Sequence, residues 1–229
     1  MTRRAEPSLT TVIKALASRH GVPPRPTPKS AWDMIVWENV AYLTTDAKRE
    51  AAFKELRRRI GLDPARILAA PPEQLREVCG GAAGLAARCA EKLRDAADMC
   101  IGDFDGDLSK ALSLPLAKAK RALQRYPGIG APGAEKILLF THTHPCLALE
   151  SNGLRVLLRL GFGTPLKSYA ATYRAVQEAA ERTIANTCEA RIEAYLLLRL
   201  HGQELCRRAT AERANCPLGK QCSGLPITA

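Results

Sequence analysis

The chain is poor in aromatic residues and short of acids. Of its 229 residues only 5% are Phe, Trp or Tyr, too few for a surface that stacks single-stranded bases in series. Asp and Glu number 23 against 34 Lys and Arg, giving a formal net charge of +11 and an isoelectric point of about 9.5. That imbalance favours polyanionic partners, nucleic acid above all. No apolar run approaches the roughly 18 residues that a membrane helix needs, so no membrane partner is expected. The start, MTRRAEPSLT, has no apolar core after its arginines. It is not read as a secretory signal, and the expected location is cytoplasmic and nucleoid-associated. Period-two alternation bounded by turn residues is also missing, so no sheet is expected. No internal repeat or low-complexity tract is found.

What is present is helical pattern almost throughout. In KSAWDMIVWENVAYL, Ser30 is followed by Asp33 as in a capping box, and Trp32, Ile35, Val36 and Val40 share a face. Phe53, Leu56 and Ile60 mark a second helix that Gly61 ends. Asp63 and Pro64 open a third. Further helices are expected over PPEQLREVC, from Leu85 to about Cys100, over LSKALSL after Asp107, over LAKAKRALQRY after Pro115, and over AEKILLF. NGLRVLLRLG closes at Gly161, Ser168 caps SYAATYRAVQEAAERTI, and EARIEAYLLLRLHG ends the helical part. The prolines of Gly21 to Ser30 favour an extended connector.

The most informative stretch is RYPGIGAPGAEKI, Arg125 to Ile137. A helix ends at Tyr126, a tight turn contains Gly128, Ile129 and Gly130, and a new helix starts near Pro132 and Gly133. The glycines permit positive φ and let backbone N–H groups approach a ligand. The following helix adds its own unsatisfied N–H groups, which suits a phosphate. Lys118, Lys120, Arg121 and Arg125 upstream and Lys136 downstream supply counter-charge. A glycine-ended helix followed by a proline-started one also occurs where nothing is bound. The order helix, Pro-Gly-apolar-Gly, helix is more specific. It is the helix-hairpin-helix pattern, which contacts the DNA backbone without reading sequence.

From about Trp32 to Cys222 the chain resembles the helix-hairpin-helix DNA glycosylases of the endonuclease III type. The resemblance rests on YLTTD, YPGIGAPGA, ESNGLRVLLRLG and LHGQELC. In that family the hairpin position held by lysine in bifunctional members precedes the catalytic aspartate by 18 residues. Here these positions are Pro132 and Glu150, and 150 − 132 = 18. ESNGLRV is similar to the Asp-x-Asn-x-x-Arg-Val pattern of the adenine-specific mismatch branch, with Asn152 and Arg155 in register, and the resemblance implies a DNA contact for Arg155.

The resemblance implies chemistry that two substitutions alter. A lysine at 132 would attack the sugar C1′ as an amine; proline cannot. Lys136 lies one turn on, with its direction displaced by about 40°. The family carboxylate stabilises the oxocarbenium-like sugar and positions water. Glu150 keeps that charge on an arm longer by one methylene. Ser151 and Asn152 read as caps of the helix that follows. A glycosylase must also fill the space left by its extruded base, and the comparable position lies near Leu43.

Eight cysteines are present. Without an export signal they are not read as disulfides, and Cys79, Cys89, Cys100, Cys146 and Cys188 read as core side chains. The family's iron–sulfur loop has the spacing C-x6-C-x2-C-x5-C, and a [4Fe–4S] cluster takes four thiolates. Counted from Cys206, the remaining positions are Arg213, Cys216 and Cys222. Arginine cannot ligate a metal. Three readings stay open: a loop without metal, a cluster with a non-cysteine ligand, or a site completed by Cys188 or His201. Arg207, Arg208, Arg213 and Lys220 could face DNA without iron.

The expected architecture is an all-α, two-lobed helical glycosylase fold. Residues 31–144 would form a six-helix barrel lobe ending in the hairpin, and 1–30 with 145–229 a second lobe, with Glu150 where they meet. The expected function is monofunctional excision of a damaged or mispaired base from double-stranded DNA by a monomer, with Glu150 and Asn152 at the catalytic centre. Alternatives are a non-catalytic DNA-binding or damage-sensing protein, and a bifunctional lyase using Lys136.

Overall fold

The computed structural model describes residues 8–42, 44–81, 84–207, 213–219 and 222. It divides into two compact units, Met1–Arg25 with His144–Ala229 and Pro26–Thr143. In chain order the helices are α1 (Leu9–His20), α2 (Ala31–Val40), α3 (Asp46–Arg59), α4 (Pro64–Ala69), α5 (Pro72–Val78), α6 (Ala86–Phe104), α7 (Ser109–Leu112), α8 (Leu116–Gln124), α9 (Ala131–Phe140), α10 (Ser151–Leu160), α11 (Tyr169–Glu181) and α12 (Cys188–Glu204). A short 3-10 turn spans Arg213–Asn215. Among the described residues no helix is long and apolar enough to cross a membrane.

The predicted starts carry their caps. Ser30 Oγ accepts from the Asp33 N–H at 3.0 Å, Asp63 Oδ1 from the N–H groups of Ala65 and Arg66, and Ser168 Oγ from Ala171. Gly61 and Gly161 end their helices at φ 98° and 89°. Helix α1 has no counterpart in the sequence reading. Its apolar residues Leu9, Val12, Ile13 and Leu16 are spaced 3, 1 and 3 apart and all are buried, a face that periodicity could have found.

One expectation needs correction. A minimal sheet exists: β1 (Ala41–Tyr42) pairs in parallel with β2 (Gly80–Gly81). Two-residue strands cannot show alternation, so sequence carried no signal. The Gly80 position explains the pairing, because a Cβ there would stand 3.1–3.2 Å from those of Ala52 and Ala41.

Each unit has its own core. That of residues 26–143 centres on Met34, Ile35, Phe53, Leu56 and Leu93, with Trp37 edge-on to Phe53 at 5.4 Å between ring centroids. That of the other unit joins Leu9 and Leu16 of α1 to Leu157, Val176 and Leu198.

Candidate active site

The approach to Glu150 is a buried segment outside any helix or strand. Leu147, Ala148 and Leu149 are 0–2% exposed, so their polar backbone groups need partners. Side chains of α11 and α12 supply them. Glu181 Oε1 accepts from the Leu147 N–H at 2.7 Å, Tyr173 Oη from the Leu149 N–H at 3.1 Å, and Gln177 Nε2 donates to the Leu147 carbonyl at 2.9 Å. Arg191 donates to the Pro145 carbonyl and to Glu181 Oε1. Tyr173, Gln177 and Glu181 are four residues apart and so share one face of α11. Sequence reading missed this polar row; its signal was three hydrogen-bonding side chains repeating among apolar neighbours.

Glu150 has extended backbone, φ −105° and ψ 174°, and is itself the cap of α10. This corrects the assignment of Ser151 and Asn152, which are the first two residues of the helix. Glu150 Oε1 accepts from the Gly153 N–H at 2.7 Å, and Oε2 accepts from Asn152 Nδ2 at 2.7 Å. Capping and candidate catalysis therefore fall on one side chain.

Asn152 is oriented in turn by Arg155, whose Nη2 donates to Asn152 Oδ1 at 2.7 Å. A guanidinium only donates and a carboxylate only accepts, so the two ends of the amide are chemically assigned. Arg155 also donates to the carbonyls of Gly202 at 2.8 Å and Cys206 at 2.9 Å. Its guanidinium is engaged inside its own unit, where it positions Asn152. Gly202 is required by close approach: a Cβ there would lie 2.7 Å from Asn152 Cβ and 2.8 Å from the Asn152 carbonyl oxygen.

At the hairpin, Gly128 has φ 74° and Gly130 caps α9 without a side-chain bond. Ile129 is 4% exposed, packed in the core, and its N–H is bonded to the Tyr126 carbonyl at 3.1 Å. Its side chain is an anchor, not a DNA contact. Pro132 lies in the first turn of α9, where its missing N–H costs nothing. A residue that sequence reading missed fixes the turn. Asn39, 2% exposed, donates Nδ2 to the carbonyls of Ile35 and Pro127 at 3.0 and 2.9 Å. Its Oδ1 would lie 2.9 Å from a Cβ at Gly128.

The cations around the hairpin divide. Lys136 Nζ pairs with Glu38 at 2.6 Å, Lys120 with the buried Glu135 at 2.6 Å, and Arg125 with Asp103 at 2.8 Å. Lys118 and Arg121 are exposed. Leu43 lies outside the described residues.

Cys206, Cys216 and Cys222 do converge, lining with His201 a cavity of about 20 Å³. Cys216 Sγ is 3.5 Å from His201 Nε2, and Arg159 Nη1 donates to Cys206 Sγ at 3.0 Å. Cys188 is elsewhere, at the start of α12. The space suits one water-sized body and not four irons with four sulfides. No three His, Cys, Asp or Glu among the described residues group closely enough to hold a metal. The residues present do not fit a [4Fe–4S] cluster. Arg208 and Lys220 lie outside the described residues. His201 is 1% exposed, and burial, then the neighbouring His20, lowers its pKa to about 4. The His20 ring bridges His201 Nδ1 at 3.2 Å to Glu204 at 3.3 Å.

No family profile matches the chain, and no curated protein matches it in sequence. Solved structures do match. A trapped endonuclease III–DNA covalent intermediate is 19% identical, with a TM-score of 0.73 over 95% of this chain and 97% of that one. A thermostable thymine-DNA glycosylase is 17% identical, with a TM-score of 0.73 over 94% and 95%. The H. pylori 3-methyladenine DNA glycosylase MagIII, bound to 1,N6-ethenoadenine, is 15% identical, with a TM-score of 0.64 over 87% and 99%. The chain thus has the all-α fold of the helix-hairpin-helix DNA glycosylases.

Proposed function

We propose that the protein is a base-excision DNA glycosylase that hydrolyses the N-glycosidic bond of a damaged or mispaired base, leaving an abasic site. The observation that carries this reading is the carboxylate of Glu150, aimed by Asn152 Nδ2 and the Gly153 N–H at 2.7 Å each, on a fold shared with DNA glycosylases. Glu150 stabilises the positive charge that grows on the sugar as the base departs. A carboxylate about 4 Å from a unit charge is worth roughly 4 kcal/mol at an effective dielectric near 20, about a thousand-fold in rate. It also takes a proton from the water that attacks C1′. The departing base carries away the bonding electron pair and is protonated.

The reaction is proposed to be monofunctional. Residue 132 is proline and offers no amine. Lys136 is ion-paired to Glu38, with side-chain exposures of 14% and 24%. That ion pair engages the Nζ nitrogen that a lyase would need. The hairpin, with its exposed Lys118 and Arg121, holds backbone phosphate. Arg155 and Arg159 hold the start of the cysteine tail, at Cys206 and Arg207.

Incubation with duplexes carrying a panel of damaged or mispaired bases, followed by hot alkali, tests this. Base release with strand breaks only after alkali is expected. Breaks without alkali and a borohydride-trapped adduct would instead reveal a lyase. Salt-dependent binding with no release from any lesion would mean a non-catalytic DNA binder.

A further inference from the structure

Beside the first turn of α10 the unit containing Glu150 holds a cavity of about 690 Å³, within the roughly 300–1,000 Å³ of small-molecule sites. Asn152, Arg155 and Gly202 of the arrangement described above line one side of it. Its floor is apolar, with Leu154 and Leu158 of α10. Its rim runs from the segment between α10 and α11 into the start of α11, where Leu166 and Tyr169 are 50% and 54% exposed. Soluble proteins leave few large apolar side chains this open, and a pair on one rim marks a contact surface. The wall carries Arg155, Lys167 and Arg207 and no Asp or Glu. Arg155 is committed inward, while Lys167 and Arg207 are exposed.

The chemistry of these walls fits one kind of occupant. An apolar and aromatic face beside two exposed cations matches a planar base joined to a phosphate. An acidic peptide would leave the aromatic rim unused, and a lipid chain would leave the cations unused. Tyr169 also stands near the candidate carboxylate: partial burial and then the charge of Glu150 hold its phenol above the usual tyrosine value. Tyr173 supports its ring at 6.3 Å between centroids, and the Tyr173 hydroxyl holds Leu149, one residue before Glu150. One aromatic pair thus links the cavity rim to the chain that aims the carboxylate.

We propose that this cavity is a subsite for one nucleotide of a DNA strand, with the Tyr169 ring against the base and Lys167 and Arg207 at its phosphate. The proposal rests on the reading of this protein as one that acts on DNA. Stacking on a single aromatic residue is worth a factor of about 5 to 100 in affinity, and each phosphate contact contributes about 0.9 to the slope of log affinity against log salt.

The test uses the full chain and a fluorescently labelled duplex containing a non-hydrolysable abasic analogue, with anisotropy read over a salt series. Tyr169→Ala is expected to weaken binding 5- to 100-fold with the salt slope unchanged. The double variant Lys167→Ala/Arg207→Ala is expected to lower that slope by about 1.8. All three side chains are exposed, and unchanged thermal melting would verify the fold. Parent-like affinity and slope in both variants would overturn the subsite and leave the glycosylase reading intact. A parent protein that binds no duplex would overturn both. Base release plays no part in the assay, so an inactive carboxylate does not affect its outcome.

Discussion

Arg155 Nη2 and Glu150 Oε2 grip the two ends of one amide, that of Asn152, at 2.7 Å each. The result is a directed chain from guanidinium to amide to carboxylate. Each donor polarises the next, so the carboxylate is held as an acceptor pair and not left to rotate.

Replacing Glu150 with Gln keeps an acceptor for the Gly153 N–H and removes the charge. Base release is expected to fall on the order of a thousand-fold, with duplex affinity within threefold. Single-turnover excision kinetics would measure it; full activity would remove Glu150 from the mechanism.

Gly202→Ala sets two effects against each other. Alanine improves helix propensity by about 1 kcal/mol. Its Cβ, however, would meet the Asn152 backbone at 2.8 Å, and backbone atoms cannot rotate aside without parting α10 from α12. The overpacking cost, about 1–3 kcal/mol, is expected to win, lowering the urea midpoint together with excision activity.

Gly128 and Asn39 should behave as a coupled pair. Gly128→Ala is expected to cost about 2 kcal/mol, from the left-handed backbone and the 2.9 Å approach to Asn39 Oδ1. Removing the amide relieves the second part. In a double-mutant cycle with Asn39→Ala the losses should therefore sum to less than the two single values. Strict additivity would show that the two positions do not share the turn.

His201 gives the protein an acid limit. Its pKa is lowered to about 4 in the folded chain against about 6.5 when unfolded, so the unfolded chain binds more protons between these values. Stability from the neutral ring is complete above pH 6.5 and is lost as pH falls towards 4. A shift of about 2.5 units corresponds to roughly 3 kcal/mol at most. His201→Gln should flatten the stability profile over that window, as read by chemical denaturation from pH 7 to 4.

The purified protein is expected to be colourless near 400 nm, to carry less than stoichiometric iron, and to melt at the same temperature with or without a chelator. One four-iron cluster per chain would reverse the assignment of the tail.

Much of this was open to a reading of residue order. Caps at Ser30, Asp63 and Ser168, the glycine stops at 61 and 161, and the hairpin all act within a few residues. Local signals of that range depend on backbone sterics and on the free N–H groups of a helix end, which a sequence states directly. Helix α1 was legible too, in the spacing of Leu9, Val12, Ile13 and Leu16, though it went unread.

The tertiary structure decided what each side chain is used for. Ile129 became an anchor and Arg155 an internal clamp, while Lys136 became half of an ion pair with Glu38, 98 residues away in sequence. The Leu147 to Leu149 segment draws its hydrogen bonds from α11, 24 to 34 residues on. Such pairings follow from which helix faces meet, and burial makes them obligatory because an unpaired polar group in the core is costly. Sequence thus determined the fold class; only packing determined which groups hold the Glu150 carboxylate and which cations remain exposed.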